Sequence, residues 1–292
     1  MLSFGYVVCI FSFLRYMDFY CYAYCQKLIK GISPVLFFLL TLLFSLPFMV
    51  TLLLILGIPK FTADFFIILF LAGILDTIAA ILYYKALSIS EISLLAPISS
   101  FNPVFVLIFA SFLLHENPTF LKLLGIVIIV LGSYLLNISS IKSGIFKPFT
   151  KLFSDKGVQL FFITNLIWGL TPVLQKKAIF ETFPTTPISV PLIEMVFIII
   201  FLTPFLLKIR KEKTYIKTNI KLLILFGGMS ALGQFAAQNA FSLTNVVYSI
   251  AIFKLSALFS IILGAVFLKE HNIRERFVGA AVMLAGTILI AL

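Results

Sequence analysis

Ten stretches of this chain are apolar over the length of a membrane crossing, and that constrains its fold more than any other feature. A helix needs about 20 mostly apolar residues to span a bilayer. The qualifying segments run at about 4–29, 34–57, 63–86, 92–114, 119–137, 157–180, 186–208, 219–242, 246–268 and 274–291. Pro34, Pro118 and Pro187 fall near predicted starts, where a missing N–H costs least. Connections are short except 138–156 and the Lys-rich stretch 209–218. Of the 292 residues, 62% are hydrophobic and 11% charged, against about 25% charged in a soluble domain. A globule this size could not hide so much apolar surface from water, so the bilayer must act as solvent. The expected class is an all-α integral membrane protein.

The second constraint is internal. A shift of 154 positions carries Gly73 onto Gly227, Ala86 onto Ala240, Ser88 onto Ser242 and Phe105 onto Phe259. It also carries Glu116 onto Glu270, Gly125 onto Gly279 and Gly132 onto Gly286. Residues 69–138 thus recur at 223–292. Each half holds five predicted spans, an odd number, so the second half enters the membrane upside down. The expected organisation is a first five-helix repeat at 1–138, a linker at 139–156 and a second repeat at 157–292. Such halves can open a central chamber to either side by exchanging conformations.

Charge sets an orientation. With loops assigned alternately to two faces, most Lys and Arg fall on one face; the other holds only Lys60, Lys122, Lys176 and Lys177. The bias puts both termini outside the cytoplasm. The net charge of +11 suits an anionic membrane surface. It does not gather on a soluble face as a nucleic-acid partner would require.

Polar groups inside spans are the functional candidates, because burying them in lipid is costly. Asn165, Trp168, Pro172 and Gln175 share one helical face of the sixth span. Arg15, Asp18, Tyr22 and Cys25 form a matching stripe on the first. These read either as two cavity walls or as interhelical hydrogen bonding with a self-neutralising Arg15–Asp18 pair. Gln234 and Gln238 lie one turn apart with Asn239 beside them, and either line a cavity or bond neighbouring helices. Asp76 in the third span and Lys254 in the ninth must each meet water, a partner or a neutral state. Asp76 is the leading proton-coupling candidate and Glu194 a second; Lys254 is a substrate contact or counter-ion, unless it pairs with Asp76. Asn102 and Tyr83 complete the cavity candidates. Basic and amide groups favour a solute bearing a carboxylate.

Other features read as structural. Gly125/Gly132 and Gly279/Gly286 allow close helix approach. Pro97, Pro103 and Pro204 break backbone bonds within spans, and Glu116 and Glu270 cap or anchor turns. Cys9, Cys21 and Cys25 lack the His partners of a zinc site, so no metal is expected. No phosphate-binding Gly-rich loop and no nucleophile–base pair is apparent, so neither ATP drive, a cofactor nor catalysis is expected.

Ala86-Leu87-Ser88, Pro103, Glu116, Gly125 and Gly132, repeated as Ala240-Phe241-Ser242, Glu270, Gly279 and Gly286, resemble the half-repeat ending of the drug/metabolite transporter superfamily, in its ten-helix EamA-type branch. Trp168-Gly169 followed by Gln175-Lys176-Lys177 resembles the half-repeat opening. The first half departs from it, with Asp18-Phe19 at the aligned place, and His115 and Lys269 stand where the family often has Gly. The resemblance implies a ten-helix basket in the plasma membrane, walled by spans 1, 3, 4, 6, 8 and 9. It also implies export or exchange of amino acids, related metabolites or drugs. A gradient-driven carrier with a proton or sodium as coupling ion is the expected mechanism. The resemblance places the termini in the cytoplasm, opposite to the charge count. The expected assembly is a monomer or weak homodimer. A lipid-linked sugar flippase, a non-transporting scaffold and an embedded enzyme are the alternatives.

Overall fold

The structure is a computed structural model and describes residues 33–90, 92–138, 150, 154–255 and 273–291. Its helices are α1 (Pro34–Leu56), α2 (Ala63–Ile89), α3 (Ile92–Ser99), α4 (Asn102–Leu113), α5 (Phe120–Ile138) and α6 (Lys156–Ile179). They continue with α7 (Ser189–Leu202), α8 (Ile209–Thr218), α9 (Ile220–Leu243), α10 (Val246–Phe253) and α11 (Ile273–Ala291). Among the described residues, the strands are a two-residue antiparallel pair, β1 (Lys60–Phe61) with β2 (Thr182–Phe183). Five helical segments among the described residues are long and apolar enough to cross a membrane: Pro34–Leu56, Ala63–Ile89, Lys156–Ile179, Ser189–Leu206 and Ile220–Leu243. Phe112 and Phe120 are 76% and 83% exposed, as lipid-facing side chains are. The chain is an all-α membrane protein.

Local chemistry sets the helix ends. Pro34 opens α1, and Gly57, at φ 94, closes it by donating to the Leu53 carbonyl. Asp155 caps α6, its Oδ1 accepting the N–H groups of Gly157 and Val158 at 2.9 and 3.0 Å. The predicted fourth span is two helices, not one. Pro97 sits inside α3 and Pro103 in the first turn of α4, with turn residues Ser100 and Phe101 between. Pro103 has no N–H for the Ser99 carbonyl four residues back, so the helix cannot run through. The seventh span narrows to a 3₁₀ segment, Thr203–Lys208, where Pro204 cannot donate. The Lys-rich 209–218, expected as a connection, is helix α8. The first span, with Arg15, Asp18, Tyr22 and Cys25, lies outside the described residues, as do Phe259 and Glu270.

The chain packs as two compact units, neither of which is a sequence half. One takes its described residues from 81–173 and 244–291, the other from 33–80 and 174–243. In the first, α5 lies against α11, while α10 packs on α4 and α5. A Cβ added at Gly125 would stand 2.7 Å from the Gly286 carbonyl oxygen, and one at Gly132 2.8 Å from that of Gly279. Index rises along one helix as it falls along the other, so the two run antiparallel. Gly286 is the repeat mate of Gly132, and Gly279 of Gly125, so each glycine sits against the mate of the other. Only two helices related by a two-fold axis make such a self-mated contact.

In the second unit, α1 packs on α9 and α7 around Phe37, Leu39, Met49, Leu202 and Leu223. The same exchange recurs. A Cβ at Gly73 would meet Phe197 and the backbone of Ile198; one at Gly227 would meet Phe44, which the same shift of 154 carries onto Ile198. The repeat is thus written into contacts as well as sequence.

Candidate functional site

The second unit holds a buried polar chain. Gln175, near the end of α6, donates from Nε2 to Glu194 Oε2 of α7 at 2.7 Å. Its Oε1 accepts from Gln238 Nε2 of α9 at 2.8 Å. Glu194 is 3% exposed and Gln238 not at all. Three helices therefore spend their polar side chains on one another inside an apolar packing. Gln238 Oε1 is buried with no hydrogen-bond partner. Gln234 is half-buried one turn before Gln238. Asp76 is half-buried on α2 in the same unit, one turn beyond Gly73, where that helix meets α7. Its neighbour Thr77 turns its hydroxyl back to the Gly73 carbonyl at 2.7 Å.

The first unit holds the aromatic and basic candidates. Tyr83 lies against Trp168, with ring centroids 5.2 Å apart, and against Phe161 at 5.9 Å. Gly169 lets α6 approach α4 here, since a Cβ on it would be 2.5 Å from Phe105 Cβ. Asn165 donates from Nδ2 to the Phe161 carbonyl of its own helix at 2.9 Å, and its own carbonyl accepts from Asn102 Nδ2 at 3.3 Å. Both asparagines are buried and engaged with backbone.

Lys254 directly follows α10. Its Nζ donates to the Ser99 carbonyl at 2.7 Å. That is the carbonyl Pro103 deprives of its helical donor, at the negative end of α3. The shift of 154 carries α3 onto α10, Ile92 onto Val246 and Ser99 onto Phe253, so both helices stop after eight residues at equivalent places. Lys254 is the repeat mate of Ser100 and bridges from one break to the other. At the opposite end of α10, Glu116 Oε2 accepts the Val246 N–H at 2.9 Å, the capping role expected of that turn.

The structure thus brings Gln175, Gln238 and Glu194 together, and Tyr83 with Trp168, and Asn102 with Asn165. Sequence reading ranked Glu194 low and missed its link to Gln175, because the two lie on different helices, 19 residues apart. It missed the buried Ser133–Ser100 hydroxyl pair, 2.8 Å apart, for the same reason. Among the described residues no group of His, Cys, Asp and Glu is arranged to hold a metal ion.

The EamA-like transporter family model matches residues 20–138 and again 155–292. A crystal structure of another protein superposes with a TM-score of 0.72 over 98% of each chain, at 14% identity, which speaks to the fold alone. No curated protein matches the sequence.

Proposed function

Because the chain belongs to the EamA-like transporter family of the drug/metabolite transporter superfamily, we propose that it is a secondary-active carrier, exporting or exchanging a small polar or amphipathic metabolite such as an amino acid. Two inverted five-helix repeats, 1–138 and 157–292, joined by 139–156, would alternate access by trading conformations. The observation that carries this reading is the self-mated packing of Gly125 on Gly286 and Gly132 on Gly279. Repeat mates packed antiparallel support this reading, because halves of like structure and opposite insertion would reach a second conformation by exchanging their own, as alternating access requires.

The buried polar side chains support a polar solute. A purely lipidic cargo has no use for Gln175, Gln238 and Glu194 inside apolar helices, where each costs free energy to bury. The candidates for reading the solute are Gln175, Gln234, Gln238 and Asp76 in one unit, and Tyr83, Asn102, Asn165, Trp168 and Lys254 in the other. Asp76 and Glu194 are the proton-coupling candidates, and the plasma membrane is the proposed location.

The test is a panel of labelled amino acids and related metabolites in proteoliposomes, under imposed proton and sodium gradients. At least one solute should exchange against itself, and one gradient should drive accumulation. Asp76→Asn should lower the dependence on a pH gradient. If no solute in the panel exchanges while the protein stays folded, the carrier reading fails.

A further inference from the structure

The chain Gln238–Gln175–Glu194 has a direction, and the direction determines what Gln238 can hold. An ionised carboxylate only accepts hydrogen bonds. Glu194 therefore requires Gln175 to show it Nε2, as observed at 2.7 Å. Gln175 then shows Oε1 to Gln238, which must answer with its own Nε2, as observed at 2.8 Å. Gln238 is left with its carbonyl oxygen pointing away from the chain. That oxygen is buried and lacks a partner, and the residue is wholly enclosed. An unmet buried acceptor costs about 1–3 kcal/mol, so an ordinary core would not leave one.

We propose that Gln238 Oε1 belongs to a ligand subsite that takes a hydrogen-bond donor, specifically a primary ammonium group, and that Glu194 sets this polarity through Gln175. An ammonium has three N–H donors and no acceptor, so it satisfies the orphan oxygen without competing for the amide N–H groups. The negative charge two links away favours a cation over a neutral donor. Glu194 and Gln175 act here as positioning residues, with Gln238 as the contact. When a proton from the aqueous phase adds to Glu194, the acid can donate to Gln175 Oε1. Both amides can then turn over, and Gln238 presents Nε2 in place of Oε1. The ammonium loses its acceptor, so one proton exchanges for one amine. The inference rests on the carrier reading and supplies that carrier with a substrate class.

The charged groups on the elements around Glu194 are few. α1 carries no titratable side chain, and α9 carries only Lys221 in its first turn. α2 brings Asp64 and Asp76 to this unit, α6 brings Lys176 and Lys177 just past Gln175, and Lys208 lies in the 3₁₀ segment after α7. Asp64, an exposed carboxylate in the first turn of α2, serves as the control.

The experiment measures binding of tritiated phenethylamine to the purified full-length chain in detergent by scintillation proximity, with phenylpropionate as the carboxylate counterpart. The amine should bind and phenylpropionate should not compete at neutral pH. Gln238→Leu and Glu194→Gln should each weaken amine binding about tenfold or more, as expected for a bond to a charged group. Wild-type affinity should fall as pH is lowered. Glu194→Gln should flatten that profile and Asp64→Asn should keep it. In a Gln175→Leu background, Glu194→Gln should change affinity clearly less than it does in the wild-type background, because the link is already cut and only the charge effect remains. This last comparison is made between two variants checked for the same melting temperature, so a folding defect does not mimic it. Absence of amine binding, equal affinity in Gln238→Leu and wild type, displacement by sodium alone, or a profile flattened by Asp64→Asn but not by Glu194→Gln would overturn the subsite. Amine binding with the expected pattern but no exchange in liposomes would uphold the subsite and reject the carrier; exchange without that pattern would do the reverse.

Discussion

Pro103 deprives the Ser99 carbonyl of its helical donor, and the replacement comes from Lys254, 155 residues along the chain. This gives Lys254 a structural duty that its depth in the ninth span did not reveal. Lys254→Met removes the donor and should destabilise the protein by about 1–3 kcal/mol, read as a lower melting temperature in detergent. Pro103→Ala restores a backbone N–H within reach of Ser99. In that background the same Lys254→Met change should cost clearly less. Equal costs in both backgrounds would mean that the contact contributes nothing. Asp76, Glu194 and Lys254 were visible as buried charges from hydropathy alone. Their partners were not, since a carbonyl orphaned by a distant proline and an amide on another helix leave no mark in local sequence.

At the level of elements, helix positions were readable wherever a long apolar run met a terminating residue. α1, α5, α6 and α9 begin and end within a few residues of expectation, because Pro34, Gly57 and Asp155 act locally. The division of the fourth span was half visible, in Pro97 and Pro103. The matching stop of α10 was not, for its equivalents are Ala251 and Ala257. α8 was overlooked because a charged stretch between spans reads as a loop when only hydropathy is consulted. Packing of α5 on α11 leads to a direct test. Gly125→Ala sets a methyl 2.7 Å from the Gly286 oxygen and 2.8 Å from Ile290 Cγ1. It should destabilise by about 1–3 kcal/mol as overpacking, and Gly286→Ala should do the same at the mated position. Because each substitution forces apart the same pair of helices, the double variant should cost less than the two separate costs combined. Unchanged melting in both single variants would refute the close approach.

For the molecule as a whole, the repeat was the most legible feature, since a fixed shift of 154 survives even where most paired residues differ. What could not be read was how packing sorts the helices. The compact units draw on both sequence halves, because each helix seeks its complementary surface rather than its neighbour in the chain. Orientation also belongs to this scale. The distribution of Lys and Arg predicts both termini outside the cytoplasm, and the family resemblance predicts the reverse. On the charge count, a tag on the C-terminus should be labelled by an impermeant reagent on intact cells. Labelling only after permeabilisation would assign the opposite insertion.

The glycine seam has one more consequence. A surface that mates with its own duplicate is sticky toward every copy of itself, including those on other chains. A polypeptide cut short after α5 would carry one unmatched glycine groove through the bilayer, shaped to receive either the missing half or a second fragment like itself. Early termination would then yield a product prone to pairing with its twin, and full-length chains are spared this because the groove is already filled from within.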